Sequence, residues 1–297
     1  MIEIREILCP LDFSDTSRQA LEHAAALAGW YESRLTAVHV LAPPFPQPPI
    51  LFAEFPSAVP TAADRRACED ELRRWLEPAR RAGIVTDTVV AEGSAAARIL
   101  EEAGQRKADL VVMGTHGVGG FERFMLGSVA EKVLRKADCP VMTVPPSAHT
   151  AAKVPYTQLL CPVDFSDSSL AALRFAFSIA EEADAKLTLL HVFEWPSDDD
   201  LMVQRFDVPE FRRLVDDDMR GRLDALVTED VRVWCKPSTK LAYGKAYEEI
   251  LDVAGREATD LIVIGVHGRN PLDLALFGST TNHVVRRAPC PVLTLKR

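Results

Sequence analysis

Hydrophobic and polar positions along this chain form two kinds of run, short apolar runs and longer amphipathic ones. Short apolar runs bounded by turn residues predict strands, and runs with apolar residues three and four apart predict helices. In the first half the predicted strands are 3–10, 34–41, 84–91, 109–113 and 140–144, and the predicted helices are 17–30, 62–82, 95–107 and 128–135. Strands that alternate with helices pair in parallel through right-handed crossovers, which predicts a doubly wound, Rossmann-like α/β domain.

The same order of runs occurs a second time, with predicted strands at 159–163, 186–192, 231–243, 261–264 and 291–295. Residues 9–17 (CPLDFSDTS) and 161–169 (CPVDFSDSS) are identical at seven of nine positions, and later landmarks recur at a shift of 151 or 152 residues. Solenoid repeats have periods of about 20 to 50 residues, so a repeat this long is a whole domain. We predict two tandem five-stranded domains, 1–146 and 157–297, joined by a linker at 147–156.

Composition and charge narrow the classes of function. The 297 residues are 47% hydrophobic and 26% charged, as in ordinary globular proteins. The net charge of -9 has the wrong sign for binding a nucleic-acid backbone. Residues 1–11 lack the basic region of a signal peptide, and no uncharged apolar run approaches the ~18 residues that span a bilayer. We expect a cytoplasmic protein that begins near Met1 and does not enter a membrane.

The six cysteines show neither CxxC nor a Cys/His cluster with metal spacing. Four of them stand in Cys-Pro dipeptides at equivalent places in the two halves, which favours buried thiols over a redox role. The segment 43–60 is rich in proline among apolar residues, and it predicts an extended loop that packs over a neighbouring surface.

The candidate chemistry lies in two glycine loops. Gly114 and Gly117 follow a buried strand, and nine residues later Gly127 and Ser128 open a helix. Glycines let a backbone approach phosphates closely, and a helix start adds amide donors and a favourable dipole. The second half repeats the spacing with Gly265, Gly268, Gly278 and Ser279.

A carboxylate ends the first predicted strand of each half, Asp12 and Asp164. Two interpretations stay open at this point. The carboxylate can bond a ribose hydroxyl or help hold Mg²⁺ at the phosphates, or Asp12, Ser14 and Asp15 can simply cap the following helix.

Both halves resemble universal stress protein domains, whose ATP-binding pattern is Gly, two residues, Gly, nine residues, Gly-Ser/Thr. The opening P-x-D-F-S and the closing Cys-Pro-Val strand extend the resemblance over nearly all of the chain. The resemblance implies adenine nucleotide alpha hydrolase-like domains with strand order 3-2-1-4-5, paired through their last strands. It also implies ATP as ligand, with Mg²⁺ near Asp12 and Asp164.

Position by position, the resemblance assigns the ribose and metal side to Asp12 and Asp164, and a backbone contact with adenine to Val40 and Val192. It assigns the phosphate contacts to Gly114, Gly117, Gly127 and Ser128 in the first half and to Gly265, Gly268, Gly278 and Ser279 in the second. Val129 and Thr280 add a backbone or hydroxyl contact. Arg123 in the first loop has no counterpart among Pro271, Asp273 and Leu274, so we expect the first site to bind ATP more tightly.

Our leading hypothesis is an ATP-dependent regulator of the stress response rather than an enzyme, because no dedicated base, arginine finger or second metal ligand can be assigned; slow ATP hydrolysis stays open. His116 and His267 stand beside the expected phosphates, but the sequence shows no carboxylate partner for them, so a structural role is favoured; His39 and His191 are interpreted as core groups. The alternatives are an adenine-nucleotide-dependent transferase or hydrolase, and an interaction module with vestigial sites and the 43–60 loop as its partner surface. A homodimer and an unidentified protein partner stay open.

Overall fold

The computed structural model describes residues 2–41, 60–117, 126–148, 154–194, 209–266 and 278–296. The first half comprises β1 (Glu6–Pro10), α1 (Asp15–Tyr31), β2 (Arg34–Leu41), α2 (Ala62–Arg81), β3 (Thr86–Glu92), α3 (Ala95–Arg106), β4 (Leu110–Gly114), α4 (Ser128–Lys136) and β5 (Val141–Val144). The second half comprises β6 (Gln158–Pro162), α5 (Asp167–Ala183), β7 (Lys186–Phe193), α6 (Pro209–Ala225), α7 (Glu229–Trp234), β8 (Lys236–Tyr243), α8 (Ala246–Arg256), β9 (Leu261–Gly265), α9 (Ser279–Arg287) and β10 (Val292–Leu295).

All ten strands form one sheet in the order β3-β2-β1-β4-β5-β10-β9-β6-β7-β8. Pairing is parallel within each half, which confirms the predicted order 3-2-1-4-5. The two halves meet through their last strands, where β5 and β10 pair antiparallel with Met142 opposite Leu293. Because the direction reverses at this join, the carboxyl ends of the two sets of strands lie at opposite edges of the sheet.

The sheet is buried on both faces, as parallel sheets usually are. Ile7 and Leu159 face one helical layer, whereas the adjacent residues Leu8 and Leu160 face the other. Both core clusters contain residues of the two halves, so the hydrophobic layers run across the join. Burial of apolar surface therefore stabilises the two halves as one body.

The predicted role of the cysteines as buried thiols is largely confirmed. Cys9, Cys161 and Cys290 are buried, Cys139 is half-buried, and all four are free thiols. Burial raises the pKa of the Cys9 thiol, because desolvation disfavours the thiolate.

Polar contacts add to the join between the halves. The Thr294 hydroxyl donates to the Val141 carbonyl at 2.9 Å, and the Ser147 hydroxyl donates to the Ala288 carbonyl at 2.8 Å. The N-terminal segment also contacts the second half, where the Ile2 amide donates to the Glu182 carboxylate of α5 at 2.9 Å. These bonds confirm that the two halves pair within one chain.

The chain turns from its first strand into its first helix in the same way in both halves. Phe13 and Phe165 have φ of 63° and 64°, in the left-handed region that a bulky side chain rarely adopts. The next residue caps the helix: the Ser14 hydroxyl accepts from the Ser17 amide, and Ser166 accepts from Ser169. The shared motif therefore specifies a sharp turn followed by a capped helix.

One strand prediction is wrong in part. Residues 231–234 are predicted as strand, but they belong to helix α7, and β8 begins at Lys236. The Cys235 amide donates to the Val231 carbonyl at 3.0 Å, and Val231 packs against the core. Tertiary packing thus overrides the local preference of this β-branched segment for a strand.

Within the described ranges, no helix is both long and apolar enough to cross a membrane. The 43–60 loop lies outside the described residues except for its last residue.

Candidate functional site

A cavity of about 640 Å³ opens at the carboxyl ends of β4, β1 and β2 in the first half. It brings together residues that are far apart in the chain, because neighbouring parallel strands end at one edge of the sheet. All first-half residues of the predicted site line it, namely Asp12, Val40, Gly114, Gly117, Gly127, Ser128 and Val129. Arg123 lies outside the described residues.

The second half has an equivalent cavity of about 430 Å³ at the ends of β9, β6 and β7. Six of its predicted residues line it, namely Asp164, Val192, Gly265, Gly278, Ser279 and Thr280. Gly268 lies outside the described residues, as do His267 and the loop positions Pro271, Asp273 and Leu274 that distinguish the two predicted sites.

Two of the motif glycines are required by packing within the protein. A Cβ atom on Gly114 would lie 2.9 Å from Cγ2 of Thr16 and 3.2 Å from its carbonyl carbon. On Gly265 it would lie 2.8 Å from the carbonyl carbon of Ser168 and from the amide nitrogen of Ser169. These glycines let the first helix of each half approach the strand end, and this contact shapes the floor of each cavity.

Gly117 instead lies directly against the carboxylate in the cavity. A Cβ atom there would lie 2.3 Å from Oδ2 of Asp12. The other oxygen, Oδ1, accepts from the Ser14 amide at 3.1 Å and from the Ser14 hydroxyl at 2.6 Å. In the second half Asp164 is held by Ser166 in the same way, at 3.0 and 2.6 Å. Of the residues in the capping interpretation, Ser14 is the one that caps α1, whereas Asp12 accepts from Ser14 and is oriented by it.

The helices that border the cavities begin without a side-chain cap. Gly127 and Gly278 are the N-cap residues of α4 and α9, and neither position has a side-chain oxygen to accept from the first amides. The Gly127 amide donates to the Thr115 carbonyl at 2.8 Å, and the Gly278 amide donates to the Val266 carbonyl at 3.1 Å. Each helix start is thus held at its strand end with its positive dipole end toward the cavity, where an anion is favoured.

The histidines of the second strands contact backbone carbonyls and also line the cavities. Nδ1 of His39 lies 2.7 Å from the Leu11 carbonyl, and Nδ1 of His191 lies 2.7 Å from the Val163 carbonyl. Their rings contact the two phenylalanines whose backbone has a positive φ, with ring-centroid distances of 4.5 Å from His39 to Phe13 and 5.0 Å from His191 to Phe165. In the glycine loop, Nδ1 of His116 lies 2.8 Å from the Thr115 hydroxyl.

Sequence reasoning missed the apolar walls of the cavities. Ile99 and Met113 line the first cavity, and their equivalents Ile250 and Ile264 line the second. It also missed Glu194, whose carboxylate accepts from the Ala246 amide at 2.7 Å. The sequence signal for Ala246 is Gly244, which repeats Gly93. Each glycine stands two residues before the first residue of a helix, α3 in the first half and α8 in the second.

These features define a tandem doubly wound α/β protein with a cavity, a helix start and an oriented carboxylate in each half. In the residues that the structure describes, no group of three or more His, Cys, Asp or Glu side chains could hold a metal ion.

The profile of the universal stress protein family matches residues 3–145 and again residues 155–296. The chain therefore belongs to the universal stress protein family.

Relatives support this assignment over the whole chain. A universal stress protein of Mycolicibacterium smegmatis is 25% identical over 308 residues, covering 98% of this chain and 96% of the relative. One of Methanocaldococcus jannaschii is 36% identical over 141 residues, covering 47% of this chain and 81% of the relative. The crystal structure of a universal stress protein from Archaeoglobus fulgidus matches with a TM-score of 0.73 at 20% identity, covering 100% of both chains, which shows the shared fold.

Proposed function

We propose that this protein is an ATP-binding universal stress protein that acts as a nucleotide-dependent regulator in the stress response. The observation that carries the proposal is the pair of equivalent cavities, each bordered by a helix start without a side-chain cap. Each cavity thus combines amide donors for an anion with an apolar wall for a base.

The strand order supports a definite direction for a bound nucleotide. In the first half, Ser128 follows β4, Asp12 follows β1 and Val40 is the next-to-last residue of β2. These three strands are neighbours in the order β4-β1-β2. Neighbouring strands are about 4.8 Å apart, so the three positions span about 10 Å. We propose that the phosphates lie at Ser128, the ribose at Asp12 and the base at Val40.

The second cavity has the same order, with Ser279, Asp164 and Val192 along β9-β6-β7. We propose the same direction there. The apolar residues Leu190, Ile250 and Ile264 then form the wall against which a base packs.

Asp12 and Asp164 fit a magnesium ion bound together with the nucleotide. Each is a carboxylate oriented by a serine at the cavity wall, and carboxylate oxygens are ligands that Mg²⁺ prefers. A single aspartate supplies one or two of the six ligands of Mg²⁺, so most of the coordination sphere would come from phosphate oxygens and water. Bound Mg²⁺ would neutralise phosphate charge.

Binding and regulation, rather than rapid turnover, form the proposed activity. The contact between the Thr115 hydroxyl and Nδ1 of His116 supports a structural role for this histidine. Steady ATP hydrolysis at the rate of ordinary enzymes, about 1 per second or faster, would contradict this part of the proposal and favour the hydrolase alternative.

Matched charge substitutions test the proposal. Ser128 and Ser279 are exposed first residues of α4 and α9. Glutamate is favourable at a helix start, so Ser128→Glu and Ser279→Glu should fold normally while repelling phosphate. We expect isothermal titration calorimetry to show two ATP sites per chain, one of them weakened by about tenfold or more in each variant.

Ala62→Glu is the control, because Ala62 is the exposed first residue of α2 and lines neither cavity. It adds the same charge at an equivalent helix position and should leave both sites unchanged. Unaltered ATP binding in the double variant Ser128→Glu/Ser279→Glu would overturn the proposal. Mass spectrometry of small molecules released on denaturation identifies the nucleotide bound in the cell.

A further inference from the structure

The second cavity has a carboxylate that bridges its two walls. Oε1 of Glu194, directly after β7, accepts from the Ala246 amide at 2.7 Å, and Ala246 is the first residue of α8. Both residues line the cavity. The bond satisfies one of the amides at the helix start and fixes the direction of the carboxylate. Oε2 accepts no hydrogen bond from the residues that the structure describes.

The first half has no carboxylate at the equivalent position of its sequence. The sequence His191-Val192-Phe193-Glu194 corresponds to His39-Val40-Leu41-Ala42, so an alanine stands in the position of Glu194. The helix of the first half that is equivalent to α8 is α3, which begins at Ala95. Its N-cap residue Ser94 makes no side-chain cap bond. The two cavities therefore differ in the hydrogen-bonding groups beside the ends of β2 and β7.

Glu194 lies at the end of the cavity that is remote from the anion-favouring helix start. Ser279 opens α9 after β9, whereas Glu194 follows β7, and β6 with Asp164 lies between these strands. The apolar side chains Leu190 and Ile250 line the cavity with Glu194. A nucleotide with its phosphates at α9 would thus present the edge of its base to the Glu194 carboxylate.

We propose that Glu194 selects the base in the second cavity and favours guanine over adenine; this inference rests on the proposed nucleotide-binding function. An ionised carboxylate accepts hydrogen bonds and donates none. Guanine presents two adjacent donors, N1–H and the N2 amino group, to the two oxygens. Adenine presents its N6 amino group beside the acceptor N1, whose lone pair repels the second oxygen. The two halves of the chain would then respond to different nucleotides.

The experiment compares ADP with GDP in one cavity at a time by isothermal titration calorimetry of the full chain. Ser128→Glu weakens the first cavity by about tenfold or more. In this background we expect the second cavity to bind GDP about fivefold more tightly than ADP, a modest factor because Glu194 is exposed to water. Glu194→Ala, the residue of the first half, should reduce the preference to about 1. Glu194→Gln keeps an oxygen for the Ala246 amide but turns a donor toward the base, so it should favour ADP.

Thermal denaturation and circular dichroism of each variant check the fold. Glu194→Ala loses the bond to the Ala246 amide and can weaken α8, whereas Glu194→Gln keeps an oxygen for this bond and tests the inference with α8 intact. A preference for GDP that survives both substitutions, or a second cavity that binds ADP as tightly as GDP, would overturn the inference. The Ser279→Glu variant reports on the first cavity alone. ADP binding there with no nucleotide bound in the second cavity defeats this inference and leaves the proposed function standing, whereas no binding in either cavity defeats both.

Discussion

A single methyl group on Gly117 should disable the first cavity without unfolding the protein. The Cβ atom of Gly117→Ala would lie 2.3 Å from Oδ2 of Asp12, whereas ordinary contacts begin at 3.4 Å. The carboxylate must therefore move by about 1 Å, because a shorter contact is strongly repulsive. Oδ1 is held by the amide and hydroxyl of Ser14 at 3.1 and 2.6 Å, so this movement also disturbs both bonds.

The magnitude follows from the hydrogen bond that Asp12 would make to the ribose. A hydrogen bond to a charged group contributes about 1.5 to 3 kcal/mol, so its loss weakens binding by roughly tenfold to a hundredfold. The stability cost is smaller, about 1 kcal/mol or less, because the atom displaced is the end of a half-buried side chain rather than backbone. ATP titration in a Ser279→Glu background, which isolates the first cavity, measures the first effect, and thermal denaturation measures the second.

Gly104→Ala is the matched control. Gly104 lies within α3, and a Cβ atom there meets nothing within 4 Å. Alanine is a better helix former than glycine by about 1 kcal/mol, so this variant should be slightly more stable and should bind ATP as the parent does. Equal ATP affinity of Gly117→Ala and the parent protein would refute the role of Asp12 in binding.

Two further predictions concern stability. Gly265→Ala places Cβ 2.8 Å from backbone atoms of Ser168 and Ser169, so we expect a loss of about 1–3 kcal/mol in urea denaturation, and an unchanged midpoint would show that α5 can withdraw from β9. Burial lowers the pKa of His23 from 6.5 to about 4, so its contribution to stability is present above pH 6.5 and is lost as the pH falls toward 4, by about 2 kcal/mol at pH 5. His23→Leu should remove this part of the loss between pH 7.5 and 5, and the same pH dependence in both proteins would contradict the assignment.

The architecture was predictable because it depends on patterns that the chain contains twice. Apolar strands such as 109–113 are buried on both faces and carry an unambiguous signal, and the repeat of 151 or 152 residues required two such domains. Segment 231–234 was not predictable, because its β-branched residues favour a strand locally, whereas the contact of Val231 with the core is a tertiary feature. The join through β5 and β10 followed from the family resemblance alone.

The candidate site was predictable only where it follows from spacing along the chain. Glycines at fixed intervals mark the loop that contains Gly114, Gly117 and Gly127, and the structure places all three at one cavity. Glu194 and Ala246 are separated by 52 residues, and only the order of the strands brings them together. A comparison of the halves would nevertheless have revealed that the position of Ala42 is acidic in the second copy.

The antiparallel join has a consequence for communication between the two cavities. They open at opposite edges of one sheet, so no small ligand can touch both, and a partner seated over one loop faces away from the other. In the part of the chain that the structure describes, the backbone ladder between β5 and β10 and the shared core layers connect the two halves between the cavities. The antiparallel pairing of β5 and β10 therefore holds the two halves together and also provides the route by which binding in one cavity can affect the other.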